Sequence, residues 1–254
     1  MNINFFKLIF SFFFMGRNIT YTAGEYGDTK ERFPFRTEVE RFTLFSLLGN
    51  VSGKQILDAG CGEGIYSRAL IDLGASYVLG VDGAQDFIDL AKHKSKEYGR
   101  RIEYVQSFIQ DLQGGGNLDA VVGAYILSYP QSLDEAVEYC GAIASHLKKG
   151  GKFIGFNNNP FEVFNGSKYS KYGFQKEMSG CVEGSEVIYR LECMENPIIN
   201  FYLNPETYEE AFRRAGFSRF RWQRVLLSPG EENNLYWNEF FEEEPPFIAM
   251  VAEK

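Results

Sequence analysis

Three glycines at alternate positions, Gly60, Gly62 and Gly64, follow a short apolar run that ends in a carboxylate, Ile56-Leu57-Asp58. Glycine lets the backbone take positive φ and lets a ligand approach the main chain closely. A helical pattern begins at once, at Ile65. A strand, a tight turn and a helix start in that order can cradle a nucleotide or nucleoside. A second carboxylate, Asp82, closes the next apolar run 22 residues after Gly60, placed to accept hydrogen bonds from both hydroxyls of a ribose. A dinucleotide fingerprint would read Gly-x-Gly-x-x-Gly. The alternate spacing supports a nucleoside and disfavours a pyrophosphate.

Other chemistries are poorly served. The cysteines, Cys61, Cys140, Cys181 and Cys193, show no Cys-x-x-Cys spacing, and His93 and His146 are the only histidines, so no metal site is expected. Cys61 sits inside the glycine turn and must remain a small free thiol there, which suits a reducing, cytoplasmic compartment. His93 on a lysine-rich helix and His146 before Lys148-Lys149 read as surface residues, neither a candidate base. The run Glu242-Glu243-Glu244 reads as a solvated loop. A net charge of −8 and no basic run argue against a nucleic-acid partner. The 24 Phe and 15 Tyr imply an aromatic core, a ring-lined ligand pocket, or both, with the core taking most of them.

The elements that must hold these residues alternate. Helical spacing is predicted from 37 to 48, 65–73, 85–98, 132–147 and 205–215; short apolar runs predict strands at 54–58, 77–81, 101–105, 118–124 and 152–156. Two more strands, 217–227 and 247–252, complete a doubly wound α/β architecture. Residues 158–203 break the rhythm and read as an insertion or lid with strands at 186–192 and 197–203. One domain is expected over 20–254, with an N-terminal cap at 20–50. Residues 1–19 read as an apolar leader or tail, too short for stable membrane insertion and lacking a cleavage signal, with targeting as the lesser alternative.

Ile56 to Gly64, then Val78-Leu79-Gly80-Val81-Asp82, then Leu147 to Phe153 resemble the successive signatures of class I S-adenosylmethionine-dependent methyltransferases. The flanks Phe35-Arg36, Leu44 to Gly49, Asn157 to Pro160 and Tyr202 to Tyr208 are similar to the toxoflavin synthase branch, which N-methylates a small heterocycle. The resemblance implies a Rossmann-like, seven-stranded, mostly parallel sheet with an antiparallel C-terminal strand. It implies S-adenosyl-L-methionine as cofactor and a small-molecule methyl acceptor, with a heterocycle nitrogen attacking in line. The alternatives are O-methylation of a small phenolic or quinone-type acceptor, a non-catalytic S-adenosylmethionine-binding protein, and a nicotinamide-dependent oxidoreductase, which the glycine spacing disfavours.

Carried over residue by residue, Asp58, Gly60, Cys61 and Gly62 would hold the methionine moiety and Asp82 the ribose. Gly83, Phe108 and Ile109 would lie at the adenine, with Phe108 where the family often has Asp. Tyr125 would lie beside the reactive methyl group, and Tyr26, Tyr125, Asn158 and Tyr202 are the substrate-side candidates. Core packing is an equal reading for Phe108 and Tyr125, and a turn before Pro160 for the asparagines.

Overall fold

The computed structural model describes residues 32–162 and 168–254. The leader at 1–19 and the candidate Tyr26 lie outside the described residues. The chain enters as a π-helical turn, Arg36–Arg41, that runs directly into α1 (Phe42–Leu48). β1 (Gln55–Ala59), α2 (Ile65–Asp72), β2 (Tyr77–Asp82), α3 (Gln85–Lys94) and β3 (Ile102–Gln106) follow. Next come β4 (Leu118–Ala124), α4 (Leu133–His146) and β5 (Leu147–Asn158). The strands pair in the order β3-β2-β1-β4-β5-β10-β9, with β9 at Arg219–Arg224 and β10 at Phe247–Glu253. β10 runs antiparallel to both neighbours, and the pairings from β3 to β5 are parallel. This is the expected seven-stranded, mostly parallel sheet.

Alternation along the strands decides which helix covers which face. Ile56, Val78, Val122 and Ile154 share one core with Leu44, Leu70 and Ile88, from α1, α2 and α3. Leu57, Val121, Phe153 and Met250 point the other way, onto Ile143 of α4 and Phe212 of α5 (Pro205–Arg214). Both faces are covered, which is why the central strands read as near-continuous apolar runs.

The region after β5 holds more structure than its composition suggests. β6 (Phe174–Met178), β7 (Glu186–Leu191) and β8 (Ile198–Phe201) form a separate antiparallel sheet in the order β6-β7-β8. β6 is hidden in the sequence because an inward position carries a lysine. Lys176 is buried and bonded to the buried Glu162 carboxylate. β5 also extends through Asn158, which pairs with Phe247. The polar connection before β10 folds into a short helix, α6 (Asn238–Phe241), that sends Phe240 into the core beside Trp237.

His146 corrects an expectation. It ends α4 with 3% of its surface exposed, its imidazole bonded to the Leu112 backbone and Nε2 without a partner. The flanking lysines misled, because the ring is buried at the end of α4, just where β5 begins at Leu147. Burial pushes the imidazole below its ordinary value, with the bond to Leu112 opposing. A depressed native value means that the unfolded chain binds the proton more readily. The contribution to stability is therefore full above about pH 6.5 and is lost as pH falls from there through the native value. Denaturant titrations between pH 7 and 5 should show a steeper loss of stability in the wild type than in His146→Leu; equal slopes would refute this account.

Candidate functional site

The glycine turn is a closed floor. Gly60 and Cys61 both donate their N–H to the Val81 carbonyl, at 2.8 and 2.9 Å, and Gly64 donates to the Cys61 carbonyl at 2.9 Å. Gly62 donates to Oδ2 of Asp82 at 2.9 Å, while Ala84 donates to Oδ1 at 2.9 Å. These N–H groups are engaged within the protein, so the turn offers no fan of donors for a pyrophosphate. Gly64 serves packing: a Cβ there would stand 2.1 Å from the Tyr104 hydroxyl oxygen, at a φ of +76°. Asp82 is held by one backbone donor on each oxygen and is partly exposed at the end of β2. A carboxylate so oriented fits a ribose diol.

The other candidates around the turn divide. Gly83 is needed because the half-buried ring of Phe108 lies against it, where a Cβ would come within 2.4 Å. Phe108 therefore stands beside Asp82 as an apolar wall. The Ile109 side chain is 2% exposed and belongs to the core under the sheet, and Cys61 is a buried free thiol. Asp58 is 1% exposed and accepts a hydrogen bond from Ser67 of α2 at 2.6 Å. It braces the helix beneath the floor.

Tyr125 follows β4 with φ of 64°, the one positive-φ non-glycine position among the described residues. Such a conformation persists only where the surroundings over-determine it. Here its N–H donates to the Phe156 carbonyl at 2.6 Å and its ring meets Phe156 and Phe247 edge-on, at 5.5 and 5.6 Å. Its hydroxyl donates to Glu40 at 2.7 Å. Glu40 is fully buried in the π-helical turn and also accepts from the Tyr66 hydroxyl and, at 2.6 Å, from Arg36. Tyr66 lies at the start of the helix that leaves the glycine turn, so one carboxylate joins that turn to the end of β4.

Beside this junction opens a pocket of about 410 Å³, counting space open to solvent. Its rings come from Phe35, Tyr125, Tyr129, Phe174, Tyr189 and Phe247, and its polar wall from Arg36 and Asn200. The aromatic richness thus serves a core and a pocket at once, since Phe35, Phe174, Tyr189 and Phe247 are also mutual packing partners. The Arg36 guanidinium lies 5.1 Å from the Phe35 ring centre and 5.2 Å from that of Tyr125.

Of the substrate-side candidates, Tyr125 lines this pocket. Asn158 stands behind it, its amide N–H₂ donating to Asn200 at 3.3 Å and its Oδ1 buried without a partner. Tyr202 is turned to Asn204 and does not line the pocket. Asn157 is bonded to Ser128, Leu127 and Tyr208, and Asn159 makes the turn before Phe161. Arg36, Glu40, Tyr129, Tyr189 and Asn200 had drawn no assignment. The available signal was an Arg-Glu pair four residues apart between Phe35 and Leu44, charges set in an otherwise apolar stripe.

Residues 56–151 match the family model described as a methyltransferase domain. The chain is 27% identical over 174 residues to the ubiquinone biosynthesis O-methyltransferase of Bordetella avium, covering 67% of this chain and 64% of that protein. It is 36% identical over 104 residues to the protein of the same name from Idiomarina loihiensis, covering 40% and 41%. The chain spans at most about two thirds of the length of these relatives. An S-adenosylmethionine-dependent methyltransferase from Mesorhizobium loti superposes with a TM-score of 0.64 at 18% identity, over 85% of this chain and 97% of that one. The 1,6-didemethyltoxoflavin-N1-methyltransferase of Burkholderia thailandensis superposes at 0.52 and 19%, over 83% and 74%. The chain has the fold of these methyltransferases, and over residues 56–151 it is similar to a methyltransferase domain.

Removing the Glu40 carboxylate takes an acceptor away from a buried guanidinium and two phenols. Glu40→Ala should cost about 3–5 kcal/mol by chemical denaturation, as for one partner lost from a buried pair. Arg36→Met/Glu40→Leu should recover part of that loss, and a double variant as unstable as the single one would contradict the pairing.

Proposed function

We propose that the protein is an S-adenosylmethionine-dependent methyltransferase whose acceptor is a small, flat ring. The observation that carries the cofactor is the closed glycine turn with Asp82 at its rim. A nucleoside needs the carboxylate but not the free N–H groups that a pyrophosphate needs. Asp82 would take the ribose hydroxyls, Gly83 and Phe108 would flank the adenine, and the backbone at Gly60 to Gly62 would line the methionine moiety above Asp58. The likeness to methyltransferases over residues 56–151 supports the same cofactor. When bound, the cofactor supplies a methyl carbon on a sulfonium, which accepts a lone pair from the acceptor while the carbon–sulfur pair returns to sulfur. The protein's own task is to align the acceptor and exclude water, and the rings around Tyr125 suit both.

Oxygen is the acceptor atom we favour, on the relatives named ubiquinone biosynthesis O-methyltransferase. Transfer to a ring nitrogen is the second reading. It draws on the branch resemblance at Phe35-Arg36, since both of those residues line the pocket. The region from 158 to 203 reads as the element that shapes the acceptor side, within one domain from residue 20 to 254.

Isothermal titration should show S-adenosylmethionine and S-adenosylhomocysteine binding, with no response to NADH or NADPH. Asp82→Ala should weaken S-adenosylhomocysteine binding by about 1–3 kcal/mol, the range for charge-assisted hydrogen bonds. Unchanged affinity would remove Asp82 from the ribose. Methyl transfer to a panel of phenols, enols and N-heterocycles, read by mass spectrometry, tests turnover; tight cofactor binding with no product across the panel would favour a non-catalytic binding protein.

A further inference from the structure

We infer that the aromatic pocket takes the methyl acceptor as its conjugate base, a flat ring whose acidic hydroxyl or ring N–H has already ionised, and that Arg36 selects that anion. The purpose of the pocket rests on the methyltransferase reading; the protonation state it selects does not.

Shape comes first. Phe35 lies nearly parallel to Phe247, 16 to 18° being the tilt within the Phe33–Phe35–Phe247 stack, and Tyr189 lies at 22° to Phe247 at 5.7 Å. Stacked flat faces favour a flat guest. Charge comes second. Among the described residues of the wall, Arg36 carries the one full charge, and none is a carboxylate or an imidazole that could receive a proton. The Tyr189 phenol is held protonated, its value pushed well up by burial, with Glu162 and Tyr169 adding.

Orientation comes third. Glu40 is fully buried and absent from the wall, while its partner Arg36 is part of it, so of the two it is the cationic residue that borders the pocket. Tyr66 and Tyr125 both donate to the Glu40 carboxylate. Among the described residues, Lys176, which pairs across the small sheet with Tyr189, is bonded to the Glu162 carboxylate. The Arg36 guanidinium, 5.1 and 5.2 Å from the ring centres of Phe35 and Tyr125, carries its donors in one plane, a fit for an oxyanion or an aromatic nitrogen anion. The acceptor has therefore left its proton in solvent before it enters the pocket. Methyl transfer then joins a negative acceptor to a positive donor, breaks the carbon–sulfur bond and leaves two neutral products with no proton to remove.

The probe is 4-nitrophenol, whose phenolate alone absorbs in the visible. Spectra recorded across a pH series, with the protein alone and with S-adenosylhomocysteine present, give the ionisation of the bound probe. The bound probe should ionise at a pH lower by about one unit, a tenfold preference for the anion. Ile198→Trp, which fills the pocket from its wall, should abolish binding, and Arg36→Met/Glu40→Gln should abolish the shift. A probe bound as the neutral phenol, an unchanged midpoint in the wild type, no binding to the wild type, or undiminished binding to Ile198→Trp would each overturn the inference. Failure of S-adenosylmethionine to bind in calorimetry would instead overturn the methyltransferase reading, so the two are separable.

Discussion

A carboxylate with no exposed surface organises the functional half of this protein. Burying a carboxylate costs several kcal/mol unless its oxygens are met by donors, and among the described residues those of Glu40 are met from three places. Arg36 comes from the same helical turn, Tyr66 from the helix that leaves the glycine turn, and Tyr125 from the end of β4. The wider spacing of a π-helical turn sets Arg36 and Glu40 on one inward face, and such turns often occur at functional sites. Satisfying this one group fixes the N-terminal segment against the sheet, and it fixes the hydroxyl of the strained Tyr125 as well. The pocket wall and the cofactor floor are therefore not independent parts.

The two halves of the site differ in how they were written into the chain. The floor is local: Asp58, the glycines and Asp82 lie within 25 residues, and their types suit the backbone geometry of the turn and, on the proposed reading, the recognition of hydroxyls. Strand and helix periods around them are equally local, so the sheet and its order could be read directly. The pocket is assembled from the N-terminal turn, the end of β4, all three strands of the small sheet and the start of β10. No period or motif links Phe35, Tyr125, Tyr189 and Phe247; only the fold brings them together. Tyr202 illustrates the limit. It sits in the expected stretch, yet it bonds to Asn204 and misses the pocket.

Local rules also failed where polar residues were buried. β6 was invisible because Lys176 occupies an inward position, acceptable only because Glu162 reaches it from a distant turn. His146 looked exposed beside two lysines, but its ring is buried and bonded to the Leu112 backbone. Asn157 and Asn158 read as a turn, and both proved to be strand residues with amides that tie neighbouring elements. In each case a partner far along the chain made an unfavourable burial acceptable, and such partners cannot be seen one window at a time.

That division bears on how far a relative's acceptor can be carried to this chain. The family likeness spans residues 56–151, which holds the whole cofactor floor. Phe35, Arg36, Phe174, Tyr189, Asn200 and Phe247 all lie outside it, and of the pocket wall only Tyr125 and Tyr129 lie within. Under the proposed function, similarity over the matched stretch constrains the methyl donor and leaves nearly free what receives the methyl group. On that reading the wall decides the acceptor: its flat rings and Arg36, paired with a carboxylate that lies outside the wall, favour an acidic flat ring over a neutral, bulky or basic one.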